Sequence, residues 1–223
     1  MSEPDNRRPL NSRGAPWARG LATWLARAGT SPDAISACSV LFALAGAAAL
    51  VESGLAGPDQ RAGPLLAAAA CIQLRLLCNL LDGMVAVEHG RAGPYGPIWN
   101  ELPDRLADAL FLLGAGYGAQ AAGIAHAGLL GWSAAILAVL TAYVRELGRG
   151  LGFPADFSGP MAKPHRMATL TAACAISLAE PFWGGRGQTL AIALGIIVLG
   201  AAVTVARRTL TLARHLRGKA QQA

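Results

Sequence analysis

The sequence predicts an all-α integral membrane protein, and three observations carry that expectation. Of the 223 residues, 53% are hydrophobic and only 14% are charged, where a soluble domain holds about 25% charged residues. Six apolar runs, roughly residues 34–52, 62–81, 105–124, 127–147, 164–182 and 188–206, each approach the ~20 residues that cross a bilayer as a helix. The Lys and Arg residues crowd onto one set of connections between those runs, as expected when positive charge stays on the cytoplasmic side.

Residues 1–14 are polar and read as a disordered tail. No cleavable signal is expected, because Arg7, Arg8 and Arg13 lead into a Trp-containing amphipathic stretch and not into a short apolar core. In that stretch Trp17, Leu21, Trp24 and Leu25 recur at i, i+4, i+7 and i+8, with Arg19 and Arg27 on the other face. A helix of this kind lies in the interface with its tryptophans at headgroup depth. The six runs then form a single domain over residues 15–210, followed by a basic C-terminal tail over 211–223.

With both termini cytoplasmic, as an even number of crossings allows, that side carries Arg19, Arg27, Arg91, Arg105, Arg145, Arg149, Lys163, Arg166, Arg207, Arg208 and the basic residues of both tails. Only Arg61 and Arg186 lie on the far side, and Arg75 falls within a run. The expected location is a bacterial inner membrane, multi-pass, with lipids as the constant partner. The net charge of +6 is spent at the ends of apolar segments, which argues against nucleic acid. Cys38, Cys71, Cys78 and Cys174 all sit inside apolar runs at no metal or redox spacing, and read as small buried hydrophobes.

Between the second and third runs lies a polar, acidic island. Asn79 and Asp82 are three apart and share a helical face; Gly83 can end that helix, leaving Asp82 at the unfavourable end of the dipole, where a divalent cation would offset it. Asn100, Asp104 and Asp108 are spaced at four and line one face of the next helix. Taken alone they also suit an ordinary helix start, with Asn100 as N-cap and Pro103 in the first turn.

Together the two halves read N-x2-D-G-x2-A-V-x8-G-x3-N-x3-D, through Asn79, Asp82, Gly83, Ala86, Gly96, Asn100 and Asp104. This resembles, without insertion, the signature D-x2-D-G-x2-A-R-x8-G-x3-D-x3-D of the CDP-alcohol phosphatidyltransferase family. The resemblance implies six membrane helices plus an interfacial helix, a cytoplasm-facing site, and transfer of a phosphatidyl group from a CDP-linked lipid donor to a small alcohol or phosphorylated polyol acceptor, with release of CMP. It implies Mg²⁺ or Mn²⁺ held by Asp82 and Asp104, with Asn79 and Asn100 as further ligands, and Asp104 as the base for the acceptor hydroxyl; Asp108, which extends the same helical stripe, is a further candidate ligand. Asn79, Asp82, Gly83, Ala86 and Gly96 would border the nucleotide, and such enzymes often form homodimers. Here Asn79 and Asn100 stand where the family has aspartates, and Val87 where it has arginine, so two negative charges and one nucleotide contact are missing. Glu88, Glu101 and Asp108 are the nearby acids that could restore charge.

Arg145 and Arg149 at the end of the fourth run, with Lys163 and Arg166 at the start of the fifth, suit the acceptor's phosphate; the same residues also suit plain cytoplasmic anchoring. His89 and His165 are lone histidines, and Glu146 reads as an ion-pair partner. Two classes of function remain: a metal-dependent membrane phosphotransferase, and a catalytically silent relative that binds lipid or nucleotide.

Overall fold

The computed structural model describes residues 15–88, 90 and 93–221, which form seven α-helices, two short 3₁₀ turns and no strand. The N-terminal tail, His89 and Arg91 lie outside the described residues. The helices are α1 (Pro16–Arg27), α2 (Pro32–Leu55), α3 (Ala62–Glu88), α4 (Gly96–Ala121), α5 (Ala127–Gly150), α6 (Lys163–Ser177) and α7 (Gln188–Ala220).

Helix α1 begins with Pro16 in its first turn, where the missing N–H costs nothing. It buries an alanine stripe, Ala18, Ala22 and Ala26, in a cluster with Leu80, Leu81, Met84 and Val85 of α3. Trp17 and Trp24 remain 57% and 63% exposed on the outer side, where rings of this kind meet a membrane interface. Ser31 caps α2, its Oγ accepting from Ala34 N at 3.1 Å.

Among the described residues four helical segments are long and apolar enough to cross a membrane: Pro32–Leu55, Pro58–Glu88, Ala127–Gly150 and Gln188–Ala220. Helix α4 has the length but carries Glu101, Asp104, Arg105 and Asp108 in its first half. Helix α6 has only 15 residues, about 22 Å at the α-helical rise, shorter than the expected run because the chain turns after Ser177 into a 3₁₀ turn at Glu180–Trp183. Helix α7, by contrast, continues well past residue 210, so most of the expected basic tail is helical.

Two further expectations are corrected. Helix α3 does not end at Gly83; it runs on to Glu88, because Met84 and Val85 are fully buried against α1 and that packing outweighs the roughly 1 kcal/mol helix penalty of glycine. Helix α4 starts at Gly96, with Pro97 in the first turn, so Asn100 is an interior residue and not the N-cap, and Pro103 lies inside the helix.

The core is built by close approach of small residues. Helix α2 packs on α3 and α4, and a Cβ on Gly114 of α4 would lie 2.7 Å from the Ala47 Cα of α2. Small-residue seams are the usual solution where lipid supplies no hydrophobic drive between helices. Phe111, Leu50, Leu65, Ile72 and Leu194 fill the remaining volume.

At the end of the bundle formed by the α2–α3 and α6–α7 connections, Glu180 is fully buried. It accepts from Gly187 N and Thr189 N, both at 2.7 Å, and from Arg61 Nη1 at 3.0 Å. Gly187 provides the left-handed turn (φ 83°) that starts α7. Arg61 also donates to Ser53 O at 2.9 Å, and Arg186 to Gly54 O and Ala56 O at 3.2 and 3.0 Å, so both reach the C-terminal carbonyls of α2. Burial raises the Glu180 carboxyl pKa, but the Thr189 and Gly187 N–H groups and Arg61 outweigh it and hold the group below its ordinary value.

A depressed folded-state pKa contributes stability that is complete above the unfolded value, about 4.3, and is lost as pH falls through the folded value. Glu180→Gln is therefore expected to lower the melting temperature of the detergent-solubilised protein at pH 7, at a cost of about 3–5 kcal/mol for stranding Arg61, and to flatten the acid limb of stability against pH. Equal melting temperatures for both proteins between pH 3 and 7 would contradict this assignment.

Candidate active site

At the opposite end of the bundle, α3, α4, α5, α6 and α7 bring their charged residues together. Arg75, Asn79 and Asp82 follow one another at four and three along α3, so they face the same way. Asp104 and Asp108 face them from α4.

Asp108 is the most enclosed of these groups. Its Oδ1 accepts from Arg75 Nη2 at 2.7 Å and its Oδ2 from Arg166 Nη2 at 2.7 Å, and all three side chains are almost wholly buried. Arg166 is further fixed by Met161 O at 3.0 Å and Thr141 Oγ1 at 3.3 Å. The triad ties α3, α4 and α6 together. Arg166, expected at an acceptor's phosphate, is thus 1% exposed and spoken for, and Asp108, expected as a further metal ligand, has guanidinium groups on both oxygens.

Asp104 lies one turn nearer the helix start and is crowded by cations. Lys163 Nζ donates to its Oδ2 and Asn79 Nδ2 to its Oδ1. Arg75 Nη2 is 3.4 Å from Oδ1 and donates to the Asp104 carbonyl at 3.0 Å, while Arg105 Nη2 is 3.5 Å from Oδ2.

Asp82 has a different environment. It is 7% exposed, and Ser36 Oγ of α2 donates to its Oδ2 at 2.7 Å, with Gly83 N on Oδ1. Among the described residues no basic group lies within ion-pair distance of it. Asn100 is exposed at the rim, Ala86 and Gly96 are partly exposed, and a Cβ on Gly96 would meet nothing within 4 Å, so that wall is open. His165 is exposed at the start of α6. Among the described residues no group of three His, Cys, Asp or Glu is disposed to hold a metal.

An outer chain of ion pairs borders the site. Glu101 accepts from Arg145 at 2.7 Å and from Arg105 at 3.2 Å, and Glu146 pairs with Arg145 and Arg149, both at 2.8 Å. Arg145 also lies over the Phe157 ring at 5.5 Å. Beyond it a small pocket is lined by Arg145, Phe153, Asp156, Arg208 and His215. Arg208 is held by Ser158 O at 2.9 Å and Thr141 O at 2.7 Å. Burial raises the Asp156 carboxyl pKa, but Ser158, whose N–H donates at 2.8 Å, more than offsets it and keeps the group ionised. Asp156 Oδ2 is buried with no hydrogen-bond partner among the described residues.

Sequence reasoning missed Ser36, Asp156, Arg208 and His215 as neighbours of the site, and saw Arg75 only as a costly charge in an apolar run. The spacing of Arg75, four before Asn79 and seven before Asp82, was the available signal. Nothing in the sequence marked Asp156 or Ser36, which reach the site only through helix packing.

Breaking the triad from its centre should be severe. Asp108→Ala leaves Arg166 buried without a counter-charge and Arg75 with only its longer contact to Asp104, an expected loss of about 3–5 kcal/mol, read as a lower denaturant midpoint in detergent. Asp108→Ala within 0.5 kcal/mol (approximately the scale of a neutral surface change) would show that the triad does not hold the helices.

No protein-family profile matches the chain. Among curated proteins it is 28% identical over 201 residues to the phosphatidylinositol phosphate synthase of Streptomyces avermitilis, covering 87% of this chain and 77% of that protein. It is 26% identical over 200 residues to the enzyme of the same name from Mycobacteroides abscessus, covering 84% and 80%. Among solved structures, Mycobacterium tuberculosis phosphatidylinositol phosphate synthase with CDP-DAG bound superposes with a TM-score of 0.72 at 21% identity, covering 89% of this chain and 94% of that one. The same protein with manganese and citrate gives 0.71 at 20% identity, covering 87% and 88%. The chain therefore has the helical membrane fold of the phosphatidylinositol phosphate synthases.

Proposed function

We propose that this chain is a membrane CDP-alcohol phosphotransferase that moves a phosphatidyl group from a CDP-linked lipid to a phosphorylated polyol of the inositol phosphate kind, releasing CMP. The observation that carries this reading is that Asn79, one turn before Asp82 on α3, donates to Asp104 of α4, so that both motif carboxylates lie at the same end of the bundle. Residues separated by a helix end and a connection are brought to one end of the bundle in the spacing of the phosphotransferase signature, within a fold shared with a CDP-DAG-bound enzyme. The proposal includes six membrane crossings behind an interfacial α1, a single membrane domain over residues 15–210, a cytoplasmic site in an inner membrane, and a homodimer.

Of the expected ligands, Asp82 is the carboxylate without a basic partner among the described residues, so the residues present would offer a hard divalent cation one carboxylate and not a cluster of three. Asp82 is a buried carboxylate that accepts from the neutral donors Ser36 and Gly83, a setting that would favour a cation beside it. When bound, Mg²⁺ or Mn²⁺ would neutralise the donor's pyrophosphate and stabilise the leaving CMP. Gly83, Ala86 and Gly96 line the open wall for the nucleotide, and Val87 leaves the cytidine side without a guanidinium contact.

In the transfer, the acceptor hydroxyl oxygen bonds to the β-phosphorus, the bond from that phosphorus to the CMP oxygen breaks, and the hydroxyl proton passes to Asp104 Oδ2 as Lys163 shifts onto the phosphate oxygens. Arg145, at the mouth of the small pocket, is the residue placed for the acceptor's phosphate, with Arg149 outside it. Asp156 Oδ2, which lacks a partner, suits a polyol hydroxyl. Arg166 acts by fixing α6 and thereby Lys163.

The second reading, a silent relative that binds lipid or nucleotide, is favoured by one observation: Asn79 and Asn100 stand where carboxylates are expected, and Asp104 is already neutralised. One assay separates them. Purified protein in lipid vesicles with Mn²⁺, CDP-diacylglycerol and either inositol 1-phosphate or glycerol 3-phosphate should release CMP, and Asp104→Asn should lower the rate by about 10²–10⁴-fold. No CMP from the wild type with either acceptor, together with unchanged CDP-lipid binding by Asp104→Asn, would establish the silent reading instead.

A further inference from the structure

We propose that the Lys163 ammonium is a built-in cation occupying the Asp104 half of the site, so that the chain holds one divalent ion, against Asp82, and not two. The inference rests on the proposed function for its location but is read by metal binding alone.

The two carboxylates are treated differently by the fold. Asp104 is saturated: Asn79 and Arg75 address Oδ1, and Lys163 and Arg105 address Oδ2. Its ion-pair partners among the described residues are Lys163, Arg75 and Arg105, so a divalent ion entering there would have to displace an ammonium and meet two guanidinium groups. Asp82 accepts from a hydroxyl and a backbone N–H, and among the described residues it has no ion-pair partner. A carboxylate buried beside neutral donors alone gains from an arriving cation, whereas Asp104 already has its counter-charges.

Lys163 is also held in place and not merely nearby. It is the first residue of α6, with Pro164 fixing the first turn. Three residues on, Arg166 is locked to Asp108, Met161 O and Thr141, which sets the rotation and depth of the helix carrying the lysine. Asn79 completes the substitution. A carboxylate there would add a negative charge beside Asp104, whereas its amide donates to Asp104 and keeps the charge matched to one ammonium. Asn100, exposed at the rim, likewise lacks the charge that a second ion would need.

The test is a titration of the full-length chain in detergent with Mn²⁺, free ion being read by electron paramagnetic resonance and no substrate being present. The wild type should saturate at one ion per chain. Asp82→Asn should weaken that binding by about tenfold or more, the scale on which even outer-shell partners act. The triple variant Asn79→Asp, Asn100→Asp, Lys163→Met should bind two ions, its fold checked by circular dichroism and gel filtration. Two ions or none in the wild type, retained affinity in Asp82→Asn, or a single ion in a folded triple variant would each overturn the proposal. The wild-type stoichiometry decides even if the triple variant fails to fold. A transferase that binds two ions would sink this inference and leave the function standing; a protein that binds one ion and releases no CMP would do the reverse.

Discussion

The contact on which the site depends is Asp108 held between Arg75 and Arg166. A carboxylate and two guanidinium groups, all nearly inaccessible to water, are tolerable only as a set, because each alone would carry a desolvation penalty of several kcal/mol. The set draws its members from α3, α4 and α6, so the helices cannot rotate or slide independently without stranding a charge. Its positive excess is answered by Asp104, which Arg75 touches through both carbonyl and carboxylate. Asp104 in turn gathers Asn79 and Lys163. One structural ion cluster therefore sets the geometry of the chemical one.

The rest of the bundle makes that arrangement possible by keeping charge away from its middle. Small residues between α2 and α4 let the backbones approach closely. At the far end, Glu180 gathers α3 and the start of α7, and Arg61 and Arg186 hold the last turns of α2. Both ends are pinned by buried polar networks, and at the site end a small pocket lies beside the connection between α5 and α6, lined by Arg145 and Asp156.

Much of this was legible in the sequence, for definable reasons. Apolar runs of membrane length give the helices, and the spacing of Asn79, Asp82, Asn100 and Asp104 gives the candidate site, since helical periodicity needs no tertiary information. The illegible parts were decided by packing. Gly83 has the chemistry of a helix stop, yet burial of Met84 and Val85 carries α3 onward. Asn100 has the chemistry of a cap, yet the helix begins a turn earlier at Gly96. Asp108 continues the acidic stripe as a ligand would, and Arg166 heads a helix as a phosphate-binding residue would; each instead neutralises the other. Ser36 and Asp156 reach the site from elements distant in sequence, and no local pattern marks them.

Helices α3 and α4 present two carboxylates in unequal surroundings: Asp104 is matched by Lys163, whereas Asp82 has no ion-pair partner among the described residues. A crystal structure of the protein soaked with Mn²⁺, using the metal's anomalous signal, tests this most directly. The account predicts a single anomalous peak at hard-cation ligand distance (about 2.0–2.6 Å) from Asp82, with the Lys163 ammonium still on Asp104. A peak bridging Asp104 with Lys163 expelled, or Asp82 and Asp104 separated by lipid with no peak between them, would contradict it.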